Sequence, residues 1–494
     1  MKNRLRSSIW KTGLICFLAA CLVLAQTHAS LALFDEFKAM TIEREKQLGE
    51  EFLLEFQQEA TLIEDPFLTS YVNHIGQKLV AQMGPQPFKY KFYIVKDPTM
   101  NAFAVPGGYI FLNTGMILMA DKEEELAGVM AHEVSHIYCR HMAQMMEKAK
   151  VMTVASLLGT IASVFLGGAM AQPLIMGAMG GGQAGMLAYS REFEGQADAM
   201  GFRWMLASGY NPEGMVNMFK KMNKQRWYEG GTVPLYLRTH PYTNDRIVVL
   251  ENKVEIHRNE LPPYGNYPNF QYFVLKLNSI CGNPHQLLRG TTQDAIREPQ
   301  NPVPAFGRAL ALAKLDQANE AEAAFQLALK LDPKNFLIKR ELALFYFDQN
   351  RYPEANQLLE ELSHQAPQDE VILYYLGRIC QERKQPDQAI SLYEKAYRLN
   401  PTYAEVYYNL GTLYGGKGQL GPAHYYLGMY SLRAKALPTA MFHFKLALKN
   451  LSPGDGLYAD AKEQMTRLGH MKVKEGGGAI SNWGQGNLSP VAMP

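Results

Sequence analysis

Apolar positions along this chain change their period several times, and each change marks an element. Between Leu33 and about Gln82, Phe37, Ile42, Leu48, Phe52, Leu53 and Phe56, then Phe67, Tyr71, Ile75 and Leu79, recur at the spacing of helices with one buried face. Tyr90 to Val95 is rich in aromatic and β-branched residues and reads as a strand. Asn101 to Leu112 reads as a strand, a Pro106-Gly107-Gly108 turn and a second strand. Helical periodicity returns from Lys122 to Lys150, with Glu123, Glu124 and Glu125 in the first turn, where the helix dipole favours negative charge.

Val151 to Ser190 carries no charged residue and is rich in Gly, Ala, Met and Leu. Its first half, Val151 to Ala171, reaches the roughly 20 residues a membrane span needs, but Gly159, Gly167 and Gly168 weaken it and Gly180-Gly181-Gly182 break the second half. Three readings stay open: a lid packed over a functional site, a hairpin lying on a membrane surface, and a transmembrane helix.

The C-terminal third repeats at one constant step along the chain. Ala309, Ala343, Gly377 and Gly411 form one evenly spaced column, Ala321, Ala355, Ala389 and Ala423 a second, and Pro333, Pro367 and Pro401 a third. Small residues where two helices touch, with Pro ending the second helix, at this step are the tetratricopeptide signature. The register then slips, because Gly428 and Ala440 follow Gly411 and Ala423 by only half the step. The second helix of the fourth repeat is therefore expected to serve also as the first helix of a further pair.

A length of 494 residues exceeds one ordinary core, and a formal net charge of +2 gives no electrostatic case for nucleic acid as a partner. Lys2, Arg4, Arg6 and Lys11 precede an uncharged run from Leu14 to Ala25 and the small-residue tripeptide Thr27-His28-Ala29, the order of a secretory signal cleaved after Ala29. Leu18-Ala19-Ala20-Cys21 resembles a lipobox, which would instead make Cys21 an acylated N-terminus. After cleavage at Ala29, Cys139, Cys281 and Cys380 remain, and their number and spacing imply no disulfide framework.

The chemistry concentrates in His132-Glu133-Val-Ser-His136, an H-E-x-x-H motif inside a helical pattern made apolar by Leu126, Val129 and Met130. Residues i and i+4 share a helix face, so both imidazoles reach one zinc ion with Glu133 beside it as general base. The alternative, two satisfied histidines in an ordinary helix, is disfavoured by the cost of burying His and Glu without partners. A catalytic zinc takes a third protein ligand, and Glu194 and Asp198 stand i and i+4 on a second helical segment, Tyr189 to Gly201. His141, at i+5 from His136, is expected to point away from the ligand face and to serve packing or a local hydrogen bond.

H-E-x-x-H followed by E-x-x-A-D-x-x-G resembles the HtpX-like zinc peptidases, and the resemblance extends to Asn101-Ala-Phe-Ala-Val-Pro-Gly-Gly and to Thr239-His240-Pro241 with Arg246, covering roughly residues 35 to 260. It implies one Zn2+ held by His132, His136 and Glu194, Glu133 as base toward a metal-activated water, and Asp198 as an acceptor that orients a ligating histidine. For His240 it leaves a transition-state donor, a fourth ligand that keeps the enzyme latent, or a plain turn residue before Pro241; Arg246 would help to stabilise the oxyanion. Asn101, Ala102, Phe103 and Ala104 would offer a strand edge to an extended substrate.

A domain of this kind followed by tetratricopeptide repeats resembles the periplasmic BepA-type assembly proteases. That resemblance implies an endopeptidase of outer-membrane protein assembly and quality control, with barrel proteins and their assembly machinery as partners of the repeats. The rival reading is a chaperone or adaptor whose repeats carry the main activity while proteolysis stays latent. Expected boundaries are 1–29 signal, 30–270 peptidase, 271–298 linker, 299–472 repeats and 473–494 disordered tail; peripheral membrane contact stays open through 151–190. The expected fold is mainly α, an α+β catalytic domain with a small sheet followed by an α-solenoid. Cleavage after Ala29 predicts that mass spectrometry of the exported protein finds Ser30 as its first residue, and a Cys21→Ser variant fractionates as the parent does; an acylated Cys21 would reverse both results.

Overall fold

The computed structural model describes residues 40–149, 189–225, 235–240 and 244–475. The signal segment, almost all of the uncharged segment 151–190 and the tail from 476 lie outside the described residues, and with them the expectations placed there. Among the described residues no helix is long and apolar enough to cross a membrane. They divide into two compact units that part between Cys281 and Gly282.

In the first unit, α1 (Ile42–Glu59) starts at Thr41, whose hydroxyl accepts from the Arg44 amide at 3.2 Å. α2 (Pro66–Val80) has Asp65 as its cap and Pro66 in the first turn, where the missing N–H costs nothing. Around them lies a four-stranded sheet of β1 (Leu62–Ile63), β2 (Lys91–Val95), β3 (Ala102–Val105) and β4 (Tyr109–Asn113), in the order β1-β2-β4-β3. β3 and β4 are the expected antiparallel hairpin, and Gly107 and Gly108 at φ +88° and +101° supply the positive dihedrals its turn demands. β2 pairs parallel with β4, so β3 is the outer strand on that side.

α3 (Thr114–Leu118) leads into α4 (Glu123–Tyr138), which carries the H-E-x-x-H motif and is buried from Glu123 to Ile137. The acidic first turn, expected to serve the dipole, is also internal and individually partnered. Glu123 accepts from the hydroxyls of Tyr71 and Tyr210, Glu124 from the Gly265 amide at 2.6 Å, and Glu125 from Lys221 at 2.6 Å. The helix ends earlier than its apolar period suggests: Arg140 adopts φ +56°, and α5 (His141–Ala149) starts afresh in a new direction. Arg140 holds this corner by pairing with Glu45 and donating to the Met40 carbonyl. α6 (Arg191–Ala207), capped by Ser190, crosses α4, followed by α7 (Glu213–Gln225), α8 (Leu235–Thr239), α9 (Asn244–Ile256) and α10 (Pro268–Cys281). Gly201 makes the crossing close, since a Cβ there would lie 2.7 Å from Met215 Cε and 3.3 Å from the His132 amide nitrogen.

The segment 271–298, expected as a linker, is occupied by most of α10 and by α11 (Pro284–Arg297), which Asn283 caps. The repeats follow as α12 (Pro302–Lys314), α13 (Ala318–Leu331), α14 (Phe336–Asp348), α15 (Tyr352–Gln365), α16 (Glu370–Glu382), α17 (Pro386–Leu399), α18 (Ala404–Gly416), α19 (Leu420–Arg433), α20 (Leu437–Asn450) and α21 (Gly456–Glu475). First helices begin at Pro302, Phe336, Glu370 and Ala404, second helices at Ala318, Tyr352, Pro386 and Leu420, so both series keep the constant step of the sequence columns. The turn inside each pair places one residue in the left-handed region: Asp316, Asn350, Lys384 and Gly418, at φ +56° to +73°.

The half-period slip is visible in the same turn. Lys435, half a step beyond Gly418, takes φ +60° between α19 and α20, so α19 turns into α20 as a first helix turns into its second. Side-chain packing agrees: a Cβ on Gly377 would meet the Tyr393 ring at 2.7 Å, one on Gly411 the Leu427 side chain at 2.7 Å, and one on Gly428 the Phe444 ring at 2.8 Å, each neighbour standing on the next helix. A Gly428→Leu variant of the full chain is therefore expected to lose about 1–3 kcal/mol in the urea unfolding of the repeat unit through overpacking. Gly416→Ala, where nothing lies within 4 Å, should leave that transition unchanged or slightly raised.

Candidate metal centre

His132 and His136 leave α4 one turn apart, Glu194 comes from the first turn of α6, and His240 follows the end of α8. All four are buried, and one ligand atom from each lies within 4.8 Å of the others. His132 Nε2 is 3.1 Å from His136 Nε2 and 3.3 Å from His240 Nδ1; His240 Nδ1 is 3.1 Å from Glu194 Oε1. The two α4 imidazoles each lie 3.5 Å from a Glu194 carboxylate oxygen. Donors bound to one zinc at about 2.0–2.1 Å with tetrahedral angles stand about 3.3–3.4 Å apart. The separations above, 3.1 to 3.5 Å, bracket that spacing, and nitrogen and carboxylate donors suit zinc.

Behind the donors lies a second set of contacts. His132 Nδ1 is 3.0 Å from Asp198 Oδ1, and Arg246 holds Asp198 with two nitrogens at 2.7 Å while a third pairs with Glu194. Arg246, expected beside the oxyanion, is instead turned to these carboxylates, and its guanidinium lies over the Phe219 ring at 5.3 Å. Asp198 lies between Arg246 and His132, in contact with both.

Electrostatics follow from this packing. Burial opposes ionisation of Glu194 and Asp198, yet His240 and His132 hold Glu194 well below the ordinary carboxylate range, and Arg246 with His132 holds Asp198 down. Burial also opposes charge on His132, but Asp198 and Glu194 outweigh it and push its pKa up to about 9. His136 falls well below the ordinary value, first through burial and then through its neighbour His132. With His132 neutral, as ligation of a metal requires, Glu133, Glu194 and Asp198 against Arg246 leave two formal negative charges, which a divalent cation neutralises.

Glu133 is fully buried, and neither of its carboxylate oxygens has a hydrogen-bond partner among the described residues; His240 Nε2 stands 3.7 Å from Oε1. Asn101, just before β3, is likewise fully buried with both amide atoms unpartnered among the described residues, while its carbonyl accepts from the Asn113 amide. Ala102, Phe103 and Ala104 form the outer strand β3, and Ala104 lines a small depression together with His136, Val105, Met142 and Tyr189.

Two aromatic neighbours of the cluster carry no expectation from the sequence, and an imidazole neighbour was expected to face away. Tyr189 packs on His136 with centroids 4.0 Å apart, Tyr236 stacks on His240 at 4.5 Å, and His141 lies 3.0 Å from His136 Nδ1. Tyr236 carried a signal, being at i−4 from His240 and so on one helix face with it. His141 was expected to point away, and the early end of α4 at Arg140 is what returns it to the site.

Residues 66–254 match the model of Peptidase family M48, and residues 298–378 and 377–418 match tetratricopeptide repeat models. The chain is 28% identical over 380 residues to the beta-barrel assembly-enhancing protease of Yersinia pestis, a match spanning 73% of this chain and 76% of that protein. It is 28% identical over 307 residues to the protein of the same name from Escherichia coli (strain K12), spanning 60% of this chain and 61% of that one. Mitochondrial metalloendopeptidase OMA1 of Schizosaccharomyces pombe is 28% identical over 183 residues, 37% of this chain and 52% of that one.

The cage predicts that the purified chain contains one zinc per molecule and that Glu194→Ala abolishes tight binding by metal analysis. Asp198→Asn, which keeps the shape but weakens the acceptor on His132, is expected to cost about 10- to 100-fold in zinc affinity. Full retention of zinc by Glu194→Ala would remove the third ligand.

Proposed function

We propose that this chain, a metalloendopeptidase with a peptidase family M48 domain and tetratricopeptide repeats, hydrolyses internal peptide bonds of outer-membrane proteins in the bacterial periplasm during their assembly and quality control. The observation that carries the hydrolytic part is Glu133, a buried carboxylate without a hydrogen-bond partner among the described residues, beside a cluster of four possible metal donors. Leaving such a group unpaired is costly, so its working partners come from outside the chain: the attacking water and the scissile peptide.

His132, His136 and Glu194 would hold the zinc. When bound there, zinc supplies a Lewis acid that polarises a carbonyl oxygen and acidifies water. Glu133 accepts the proton of the attacking water and passes it to the nitrogen of the leaving amine. Asp198 and Arg246 keep His132 and Glu194 oriented, so that little reorganisation is needed during the reaction. The outer strand β3 receives the substrate as an added antiparallel strand, and Asn101 offers an amide donor and acceptor to its backbone.

His240, whose Nδ1 lies 3.3 Å from His132 Nε2 and 3.1 Å from Glu194 Oε1, would hold a fourth coordination position and would have to leave it for water and substrate to enter. A closed corner also favours latency, and with it the second reading, in which partner binding by the repeats is the standing activity and proteolysis is released on demand. The names of the two bacterial relatives support the outer-membrane context, and repeats of this architecture present surfaces to protein partners.

Glu133→Gln is expected to keep its zinc while peptide cleavage falls by about 100- to 10,000-fold. Captured proteins on that variant should be outer-membrane barrels; an unselected periplasmic mixture would point to general housekeeping. Restoration of the full cellular phenotype by Glu133→Gln would favour the adaptor reading. His240→Ala should retain zinc and raise basal cleavage of an unstructured substrate, whereas loss of cleavage with retained zinc would make His240 a transition-state donor.

A further inference from the structure

His141 is fully buried, yet a histidine at i+5 in a continuous helix would not reach its neighbour's face. It reaches because α4 stops at Tyr138, Arg140 turns the chain at φ +56°, and His141 opens α5. Its ring lies flat on Phe193 of α6, with centroids 4.4 Å apart and planes 11° apart. That stacking fixes the ring plane and leaves the two nitrogens to be assigned by their partners: Nδ1 is 3.0 Å from His136 Nδ1, and Nε2 is 3.0 Å from Gln196 Oε1.

We infer that His141 is a positioning residue for the metal centre, accepting the Nδ1 proton of His136 through a chain of hydrogen bonds that runs one way from the ligand to the protein surface. A neutral imidazole that ligates through Nε2 keeps its proton on Nδ1. His141 Nδ1 must then accept, which puts its own proton on Nε2, and that proton is donated to Gln196 Oε1. The Gln196 amide is thereby oriented with its nitrogen outward, where it donates to Glu192 Oε1 at 3.4 Å. Each step fixes the next, and the last acceptor is an exposed carboxylate.

The two ligating histidines of α4 are therefore supported differently. His132 leans on Asp198, a buried carboxylate clamped by Arg246. His136 leans on a neutral ring that polarises less and defines direction through geometry. Loss of that acceptor frees His136 to rotate or change tautomer, and the metal is held less tightly. This rests on the zinc site proposed above, with His136 ligating through Nε2, the nitrogen that lies 3.1 Å from His132 Nε2.

The test uses the full chain and measures zinc affinity by chelator competition, the absorption spectrum of the cobalt-substituted protein, and thermal unfolding without metal. His141→Phe keeps a ring against Phe193 and removes the acceptor; His141→Gln keeps an acceptor oxygen and removes the ring. His141→Phe is expected to bind zinc about 10- to 100-fold more weakly with a shifted cobalt spectrum, while His141→Gln retains most of the affinity. Parent-like affinity in His141→Phe overturns the inference, and so does equal weakening in both variants with matching losses of metal-free stability. Should His141→Phe fail to fold, Gln196→Leu at the exposed end of the chain serves instead: a measurable weakening with a spectral shift supports the relay, and no change in either overturns it. His136→Ala separates the premise, since zinc retained at parent affinity in that variant defeats the metal site itself, whereas zinc lost there but unaffected by His141→Phe defeats only the relay.

Discussion

The whole first unit is arranged around one electrostatic difficulty: several carboxylates and histidines buried at the crossing of α4 and α6. Each would be costly alone. Together they are tolerable because the crossing is close, because Arg246 supplies a cation that grips two of the carboxylates at once, and because the remaining formal charge matches a divalent ion. The closeness comes from Gly201, beside which the His132 backbone passes. A larger residue would push α6 outward and carry Glu194 and Asp198 with it, so the E-x-x-A-D-x-x-G spacing joins the chemistry and the packing that permits it in one helical segment.

Around this crossing the unit uses its polar contacts to hold α4 still. The first-turn glutamates are internal, and tyrosine hydroxyls, a backbone amide and Lys221 meet them. At the other end Arg140 ties the corner to α1 and sends His141 back toward His136. A helix fixed at both ends keeps two imidazoles at a constant distance, so the site is already assembled when a metal arrives. In the repeats, by contrast, stability accumulates locally: a left-handed turn residue and a small-residue contact recur in every pair, and the slip at Lys435 lets α19 take part in two pairs without breaking the pattern.

Much of this was legible because its causes are local. The i, i+4 spacing of His132 and His136 places both on one face wherever the helix goes, and the evenly spaced columns of Ala, Gly and Pro fix where helices touch and stop. Glu194, Asp198 and His240 came from resemblance, since nothing in their own neighbourhoods says which distant helix they face. The pairing of Arg246 with Asp198 and Glu194 has no sequence signal for the same reason: a cation near such a cluster can face the substrate or the carboxylates, and only three-dimensional placement decides. His141 was lost to an assumption of continuity, because Arg140 is neither Gly nor Asn and gives no warning of a left-handed turn. The segment 271–298 did carry a signal, the Asn283-Pro284 cap pair, which marks a helix start in a stretch otherwise read as connection.

The place of His240 bears on how such a site can be both stable and usable. Its Nδ1 lies beside His132 and Glu194, but it hangs from α8, a five-residue helix anchored by the buried side chains of Tyr236 and Leu237 and by the Tyr189 amide donating to the Thr239 carbonyl. Burying two side chains of that size stabilises by about 1.5–3 kcal/mol each, and a single hydrogen bond adds about 1 kcal/mol. His132, His136 and Glu194 stand on long helices braced at several points, so on the proposed reading substrate or partner binding can move the fourth donor without loosening the other three.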